Sequence, residues 1–139
     1  MEAIPTEYKG IVFRSKSEAQ FAFMLDNSSM LATGWVYEPN NLRCKDGYIP
    51  DFLLFQKQRI IIIEYKPIEP TTTYLEMFYR HMNEIIEKDL LDLISGYTII
   101  YGSVYTNFSI MDGHDFKRFE VFNSELRQKA LEHRFDLKQ

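Results

Sequence analysis

The residues best placed for chemistry stand at the ends of two apolar segments. Asp51 opens one segment, and Glu64, Tyr65 and Lys66 close the next. Side chains alternate along a β-strand, so Glu64 and Lys66 project from one face and Tyr65 from the other. If the two segments pair as neighbouring strands, Asp51 comes close to Glu64, because opposite positions on paired strands lie about 4.5–5.5 Å apart. The pattern predicts two acids and a lysine gathered at one end of a strand pair.

Such a pair of acids points to a divalent metal ion. Two carboxylates held this close repel each other, and a buried strand end is a costly place for either unless a cation compensates. Mg²⁺ prefers oxygen ligands and keeps several waters, so two or three acids and a backbone carbonyl suffice. Lys66 beside them could orient or deprotonate an attacking water, or stabilise negative charge on a phosphate. The three residues together indicate metal-assisted chemistry on a phosphate.

A helix ahead of these strands supplies a third acid. It begins near Ser15, and its apolar residues recur at the three- to four-residue spacing typical of a helix with one core-facing side. That side consists of Glu18, Phe21, Ala22 and Leu25. Its position on an apolar stripe makes Glu18 a candidate metal ligand. Ser15 with Glu18 is also a capping box, in which the acid only closes the start of the helix.

The strands that hold the acids are predicted at 48–56 and at 59–66, after a shorter strand at 35–38. Residues 60–63 are apolar on both faces of their strand. Such a strand belongs in the interior of a sheet with a layer packed on each side.

A long core-facing helix is predicted after the second strand. Thr73 and Glu76 form a capping-box pattern at its start, apolar residues recur as far as Leu93, and Gly96 suits its end. The helix should cover one face of the sheet.

The rest of the chain adds a strand at 97–101, a hairpin of 108–111 and 116–122 turning at Asp112 and Gly113, and a last helix over 124–135. The order is helix, three strands, helix and strand, followed by a hairpin and a helix. It predicts an α/β fold in which a mixed β-sheet is flanked by helices.

Composition fits one folded domain that works in a reducing compartment. The chain has 139 residues, of which 45% are hydrophobic and 15% aromatic, enough for a single filled core. Its only cysteine, Cys44, excludes an internal disulfide and a multi-cysteine zinc site. The start of the chain lacks a targeting pattern, and the longest apolar stretch is too short to cross a bilayer. We expect a soluble, cytoplasmic protein.

The charge distribution leaves a basic rim around the proposed site. The net charge is −4, and the whole deficit lies in the second half, where residues 67–139 carry eight basic and twelve acidic residues. Without the three candidate metal ligands, residues 1–66 carry eight basic and five acidic residues. The candidates for a phosphate-binding track are Arg14, Lys16, Arg43, Lys45, Lys57 and Arg59. Scattered surface charges are the alternative interpretation of each.

Several motifs follow one another in an order that is known from one group of enzymes. They are Ser15, Glu18, Ala19, Phe21 and Ala22; Tyr37, Glu38 and Pro39; Tyr48, Pro50, Asp51 and Phe52; and Glu64, Tyr65 and Lys66. In this order they resemble the PD-(D/E)XK nuclease superfamily, in its small bacterial and phage form. The resemblance covers about residues 13–101 and leaves 102–139 as a C-terminal extension.

The resemblance implies a restriction-endonuclease-like core and phosphodiester hydrolysis. It implies one or two Mg²⁺ or Mn²⁺ ions bound by Glu18, Asp51, Glu64 and the backbone carbonyl of Tyr65, with Lys66 as the catalytic lysine. The Gln-x-x-x-Tyr motif of the exonuclease branches is missing from 72–95, which favours an endonuclease.

The functional hypothesis is a metal-dependent DNA endonuclease located in the cytoplasm of a bacterial or phage-infected cell. A domain of this size offers little sequence readout, so recognition of DNA structure, or action as a homodimer or in a larger complex, is expected. One alternative is a nuclease-fold subunit that no longer cuts and binds partners through acidic residues 84–92. Another is an RNA endonuclease with the same site. In the alternative without catalytic function, Asp51 is a turn residue, and Glu64 and Lys66 belong to a solvated strand end.

Overall fold

The computed structural model describes residues 3–28, 34–112 and 120–138. Its helices are α1 (Lys16–Asn27), α2 (Thr72–Lys88) and α3 (Ser124–Glu132), with a 3₁₀ turn at Asn40–Leu42. Its strands are β1 (Thr6–Tyr8), β2 (Ile11–Phe13), β3 (Gly34–Tyr37), β4 (Phe52–Gln56), β5 (Arg59–Lys66), β6 (Gly96–Tyr101), β7 (Phe108–Asp112), β8 (Glu120–Val121) and β9 (Asp136–Leu137).

The main sheet has the strand order β3-β4-β5-β6-β7-β8. Strands β5 and β6 are parallel, and the other neighbours are antiparallel. Helix α2 connects β5 to β6, as expected because parallel neighbours need a long crossover, usually a helix. A smaller antiparallel sheet has the order β2-β1-β9. The predicted mixed α/β class is confirmed.

Each face of the main sheet carries its own hydrophobic core. Helices α1 and α3 pack on one face, with Phe21, Phe52 and Ile63 among the buried residues. Helix α2 packs on the other face, with Phe78 and Ile62 among them. Neighbouring residues of β5 therefore enter opposite cores, which confirms its predicted place inside the sheet.

Helix α1 begins where the sequence predicts. The Ser15 side chain accepts a hydrogen bond from the backbone N–H of Glu18 at 3.2 Å, so one of the free amides of the first turn is satisfied. Phe21, Ala22 and Leu25 are buried, and Glu18 is half-buried at the start of the same stripe.

The predicted bounds of α2 are wrong at both ends. Its N-cap is Thr71 rather than Thr73, and the Thr71 hydroxyl accepts from the backbone N–H of Tyr74 at 3.1 Å. The helix ends at Lys88 rather than near Leu93, because the Asp89 carboxylate accepts from the backbone N–H groups of residues 93 and 94 at 3.0 and 2.7 Å. Bonds of this kind compete with continued helix.

Other elements differ from prediction in extent. The β1–β2 hairpin and β9 were not predicted, β4 begins at Phe52 rather than at residue 48, and Asn123 rather than Ser124 caps α3. Strands β7 and β8 pair antiparallel, as the predicted hairpin requires, and its turn at residue 113 lies outside the described residues. None of the helices in the described part of the chain is both long and apolar enough to span a membrane.

Candidate active site

The structure brings Asp51 and Glu64 into contact at one end of the β4–β5 pair. The register pairs Phe52 with Ile63, so the next position along each strand places the two acids opposite each other. The Asp51 backbone N–H donates to Glu64 Oε1 at 3.2 Å, and the Tyr65 backbone N–H donates to Asp51 Oδ2 at 2.9 Å. Glu64 is 2% exposed, which is rare for an acid without a cationic partner.

The electrostatic environment of Asp51 disfavours its charge. Burial and the negative charge of Glu64 hold the pKa of Asp51 well above its ordinary value, although the Tyr65 amide and Lys66 act in the opposite direction. A cation bound between the two acids would offset both the cost of burying the Asp51 charge and the repulsion from Glu64.

Lys66 and Glu64 lie on the α2 side of β5, and Tyr65 lies on the α1 side. The Tyr65 ring stacks on Phe21 with centroids 4.7 Å apart, and its hydroxyl donates to the Gly102 carbonyl at 2.7 Å. The alternation predicted for these three residues is therefore present. The bulky Tyr65 fills the core behind the acids.

Tyr74 is a neighbour of the acids that sequence reasoning missed. Its hydroxyl donates to Glu64 Oε2, and its ring lies 4.4 Å from the Lys66 ammonium. Burial and the charge of Glu64 raise the pKa of Tyr74, so the phenol stays protonated and remains a donor. Its place in the first turn of a helix that follows Lys66 closely is the only sequence signal for this role.

Tyr48 is the second missed neighbour. Its buried hydroxyl has no hydrogen-bond partner with acceptable geometry among the described residues. Burial and the charge of nearby Glu64 raise the pKa of Tyr48. Its ring stacks on His81 at 4.1 Å, and His81 Nε2 lies 2.7 Å from Asp46 Oδ2. His81 is therefore a packed residue with a carboxylate partner.

Glu18 flanks the two acids from the other side of the sheet. Its carboxylate accepts from the Tyr37 hydroxyl at 3.3 Å, and burial raises the pKa of Glu18. It lies near enough to Asp51 for its charge to raise the pKa of that acid. Across residues 3–28, 34–112 and 120–138, no three His, Cys, Asp or Glu side chains are grouped closely enough to hold a metal ion by themselves.

Two of the candidate phosphate-binding residues lie on the Glu18 side of the site. The exposed Arg14 guanidinium pairs with Glu38, whose backbone N–H donates to the Asp51 carbonyl at 2.8 Å. Lys16 is exposed at the first position of α1.

The other basic candidates lie elsewhere. Arg43 bonds to Asn40 at 2.9 Å, and the backbone N–H of Lys45 bonds to Glu84 at 2.8 Å. Lys57 and Arg59 stand at the β4–β5 turn, where Gln56 pairs with Arg59. Arg59 and Glu64 are five positions apart on β5, which places them roughly 17 Å apart along the strand. The structure thus does not gather the six basic residues into one track.

The donor chemistry of the site fits Mg²⁺ or Mn²⁺. Asp51 and Glu64 supply hard carboxylate oxygens, and the Tyr65 main chain is fixed beside them by its bond to Asp51. The buried Tyr48 hydroxyl lies next to Glu64 without a well-formed hydrogen bond among the described residues.

No protein-family model, curated protein or solved structure matches this chain. The chemical interpretation of the site therefore depends on the contacts among Asp51, Glu64, Lys66 and Tyr74. The motif order in the sequence supports the same interpretation.

Proposed function

We propose that this protein is a metal-dependent endonuclease that hydrolyses phosphodiester bonds in DNA, with a restriction-endonuclease-like arrangement of its sheet and helices. One observation carries the proposal: two acids, Asp51 and Glu64, are in contact at the end of adjacent strands, with Lys66 on the same side. The resemblance of the motifs, and the β5–α2–β6 crossover that follows them, support it.

In this proposal Asp51, Glu64 and the Tyr65 carbonyl would hold Mg²⁺ or Mn²⁺, which would lower the pKa of a water molecule and offset charge on the phosphate. Lys66 orients that water and donates to a phosphate oxygen as negative charge builds up. The water oxygen bonds to phosphorus and gives up a proton to solvent, the P–O bond to the leaving oxygen breaks, and that oxygen takes up a proton from solvent. Glu18 acts through water molecules, which Mg²⁺ retains when it binds protein.

The substrate proposed is DNA recognised by its structure. The overall charge of −4 gives no uniformly basic surface, and Arg14 and Lys16 are the basic candidates beside the site. Phosphate contacts of this kind position a duplex without reading its sequence. Sequence preference would come from a second copy of the chain or from a partner protein.

Cleavage assays test the proposal directly. Purified protein and its Asp51→Asn variant are incubated with supercoiled plasmid, linear duplex, branched DNA and RNA, in Mg²⁺, Mn²⁺ or EDTA. We expect cutting of DNA that needs the metal and is lost in the variant, while Asp92→Asn, an exposed acid after α2, cuts like the wild type. Equal cutting by Asp51→Asn would refute the proposed site, and cutting of RNA alone would change the substrate.

A second candidate is a nuclease-fold subunit that binds a partner and does not cut. The segment after α2 favours it, because Leu90, Leu91 and Leu93 are 91%, 77% and 57% exposed next to acidic residues. Calorimetric titration with Mn²⁺ separates the candidates, since a binding subunit has no need to hold metal at Asp51 and Glu64.

A further inference from the structure

One side chain from α2 contacts both Glu64 and Lys66. The Tyr74 hydroxyl donates to Glu64 Oε2, and the Tyr74 ring lies 4.4 Å from the Lys66 ammonium. The backbone N–H of Tyr74 is held by the Thr71 cap at 3.1 Å, so the residue is anchored at its main chain as well. Because ring and hydroxyl form one rigid group, Tyr74 sets the position of the acid and the lysine relative to each other.

The contact with Glu64 fixes the orientation of its carboxylate. Oε1 accepts from the Asp51 backbone N–H at 3.2 Å, and Oε2 accepts from Tyr74. Each oxygen of Glu64 therefore has a donor, and rotation of the carboxylate would break one bond or the other. Donors of this kind orient carboxylates that bind metal ions.

The contact with Lys66 limits a side chain that is otherwise flexible. A lysine ammonium sits on a four-carbon stem with many rotamers. The face of an aromatic ring attracts a cation, so the Tyr74 ring favours rotamers that keep the ammonium over the ring whose hydroxyl donates to Glu64.

We propose that Tyr74 is a positioning residue that aligns the Glu64 carboxylate and the Lys66 ammonium for the reaction. The inference depends on the proposed nuclease function and extends it to α2. Tyr74 acts through its two neighbours and takes no part in bond making itself.

The first test measures Mn²⁺ affinity by calorimetry for the full chain and its Tyr74→Phe variant. The variant keeps the ring and loses only the bond to Glu64, so we expect Mn²⁺ to bind about 10–100-fold more weakly. Tyr79→Phe is the matched control, because it removes a phenol hydroxyl from the same helix at a ring that packs on Phe78 and Tyr97; its affinity should equal that of the wild type.

The second test separates the ring from the hydroxyl. At saturating Mn²⁺, Tyr74→Leu should have a kcat about two- to five-fold below that of Tyr74→Phe, which is the loss of a cation–π contact at a partly exposed site. The KM for DNA should be the same in the two variants. Circular dichroism checks that both variants are folded. If Tyr74→Leu is unfolded, the Mn²⁺ affinity of Tyr74→Phe decides the proposal.

The outcomes distinguish the two proposals. If the wild type binds Mn²⁺ and Asp51→Asn does not, while Tyr74→Phe binds as tightly as the wild type, the role of Tyr74 is refuted and the nuclease site stands. If the wild type binds no Mn²⁺, or Asp51→Asn binds it equally well, both proposals fall. Weaker binding by Tyr74→Phe with unchanged binding by Tyr79→Phe establishes the positioning role.

Discussion

At the scale of single residues, the site places charge where the folded chain alone does not favour it. Glu64 is almost fully buried, and its charge adds to the burial that raises the pKa of Asp51. Natural proteins often lose stability at a functional site in this way, and the loss is recovered when the ligand binds.

Asp51→Asn should therefore stabilise the metal-free protein. The amide keeps an oxygen for the Tyr65 N–H and removes the repulsion from Glu64. We expect the free energy of unfolding in EDTA at pH 7 to be higher for the variant than for the wild type. Urea unfolding of variant and wild type measures it, and a lower stability of the variant would contradict it.

The same shift fixes the sign of the pH dependence. Asp51 and Glu18 both have raised pKa values, so each binds protons more tightly in the folded chain than in the unfolded one. The contribution of Asp51 to stability in EDTA should fall as pH rises from the ordinary Asp value of 3.8 through the raised pKa, so the wild type should lose stability relative to Asp51→Asn over that range. The stability of Asp51→Asn should depend less on pH, because of the two acids only Glu18 still contributes.

At the scale of elements, the loop after β6 is tied to the strand that carries the lysine. The Gly102 N–H donates to the Lys66 carbonyl at 2.9 Å, and the Gly102 carbonyl accepts from Tyr65. Gly102 has φ +137°, and a Cβ there would lie 2.5 Å from the Asn107 carbonyl oxygen.

Gly102→Ala should cost at least about 1–3 kcal/mol of stability, because the backbone conformation is rarely open to a side chain and the new methyl meets main chain. Gly96→Ala is the control at the other end of β6, since nothing lies within 4 Å of its Cβ position. Thermal unfolding compares the two. Equal midpoints would show that the loop adapts without cost.

Local sequence patterns predicted those helices and strands that are determined by residues close together in the chain. Ser15 marks the start of α1, and the apolar run of β5 marks an interior strand, because capping and burial leave a direct trace in the sequence. The end of α2 was missed because Leu90 and Leu93 continue the helical spacing, while one carboxylate, that of Asp89, stops the helix. The three-residue β1 and β2 are too short for any periodicity.

The contacts of the candidate site also fall into those that the sequence predicts and those that it does not. The contact of Asp51 with Glu64 follows from the pairing of adjacent strands joined by a short turn, so it was predictable. Tyr48 and Tyr74 were not, since their positions depend on how the 44–48 turn and α2 pack on the sheet. Tertiary packing of this kind has no periodic signal in the sequence.

At the scale of the whole molecule, the acidic net charge would restrict where a duplex could lie on the proposed nuclease. The net charge is −4, and of the basic candidates only Arg14 and Lys16 stand near the carboxylates. Lys57 and Arg59 lie at the far end of the β4–β5 pair. Few phosphate contacts are therefore expected for each copy of the chain.

Salt dependence of DNA binding tests that placement. Lys16→Ala should lower the slope of log affinity against log salt concentration by about 0.9, the effect of one phosphate contact. Arg59→Ala removes a charge of the same sign far from the acids and should leave the slope unchanged. Fluorescence anisotropy in EDTA, which removes divalent metal ions, gives both slopes; a larger change for Arg59→Ala would move the DNA to the opposite end of the sheet.

Glu18 and Tyr74 reach the acids from helices on opposite faces of the sheet. A chain that has just left the ribosome, or one from which α2 has come away, contains every reactive group but cannot align them. On the proposed function, cleavage would therefore require that the layers on both faces of the sheet have packed.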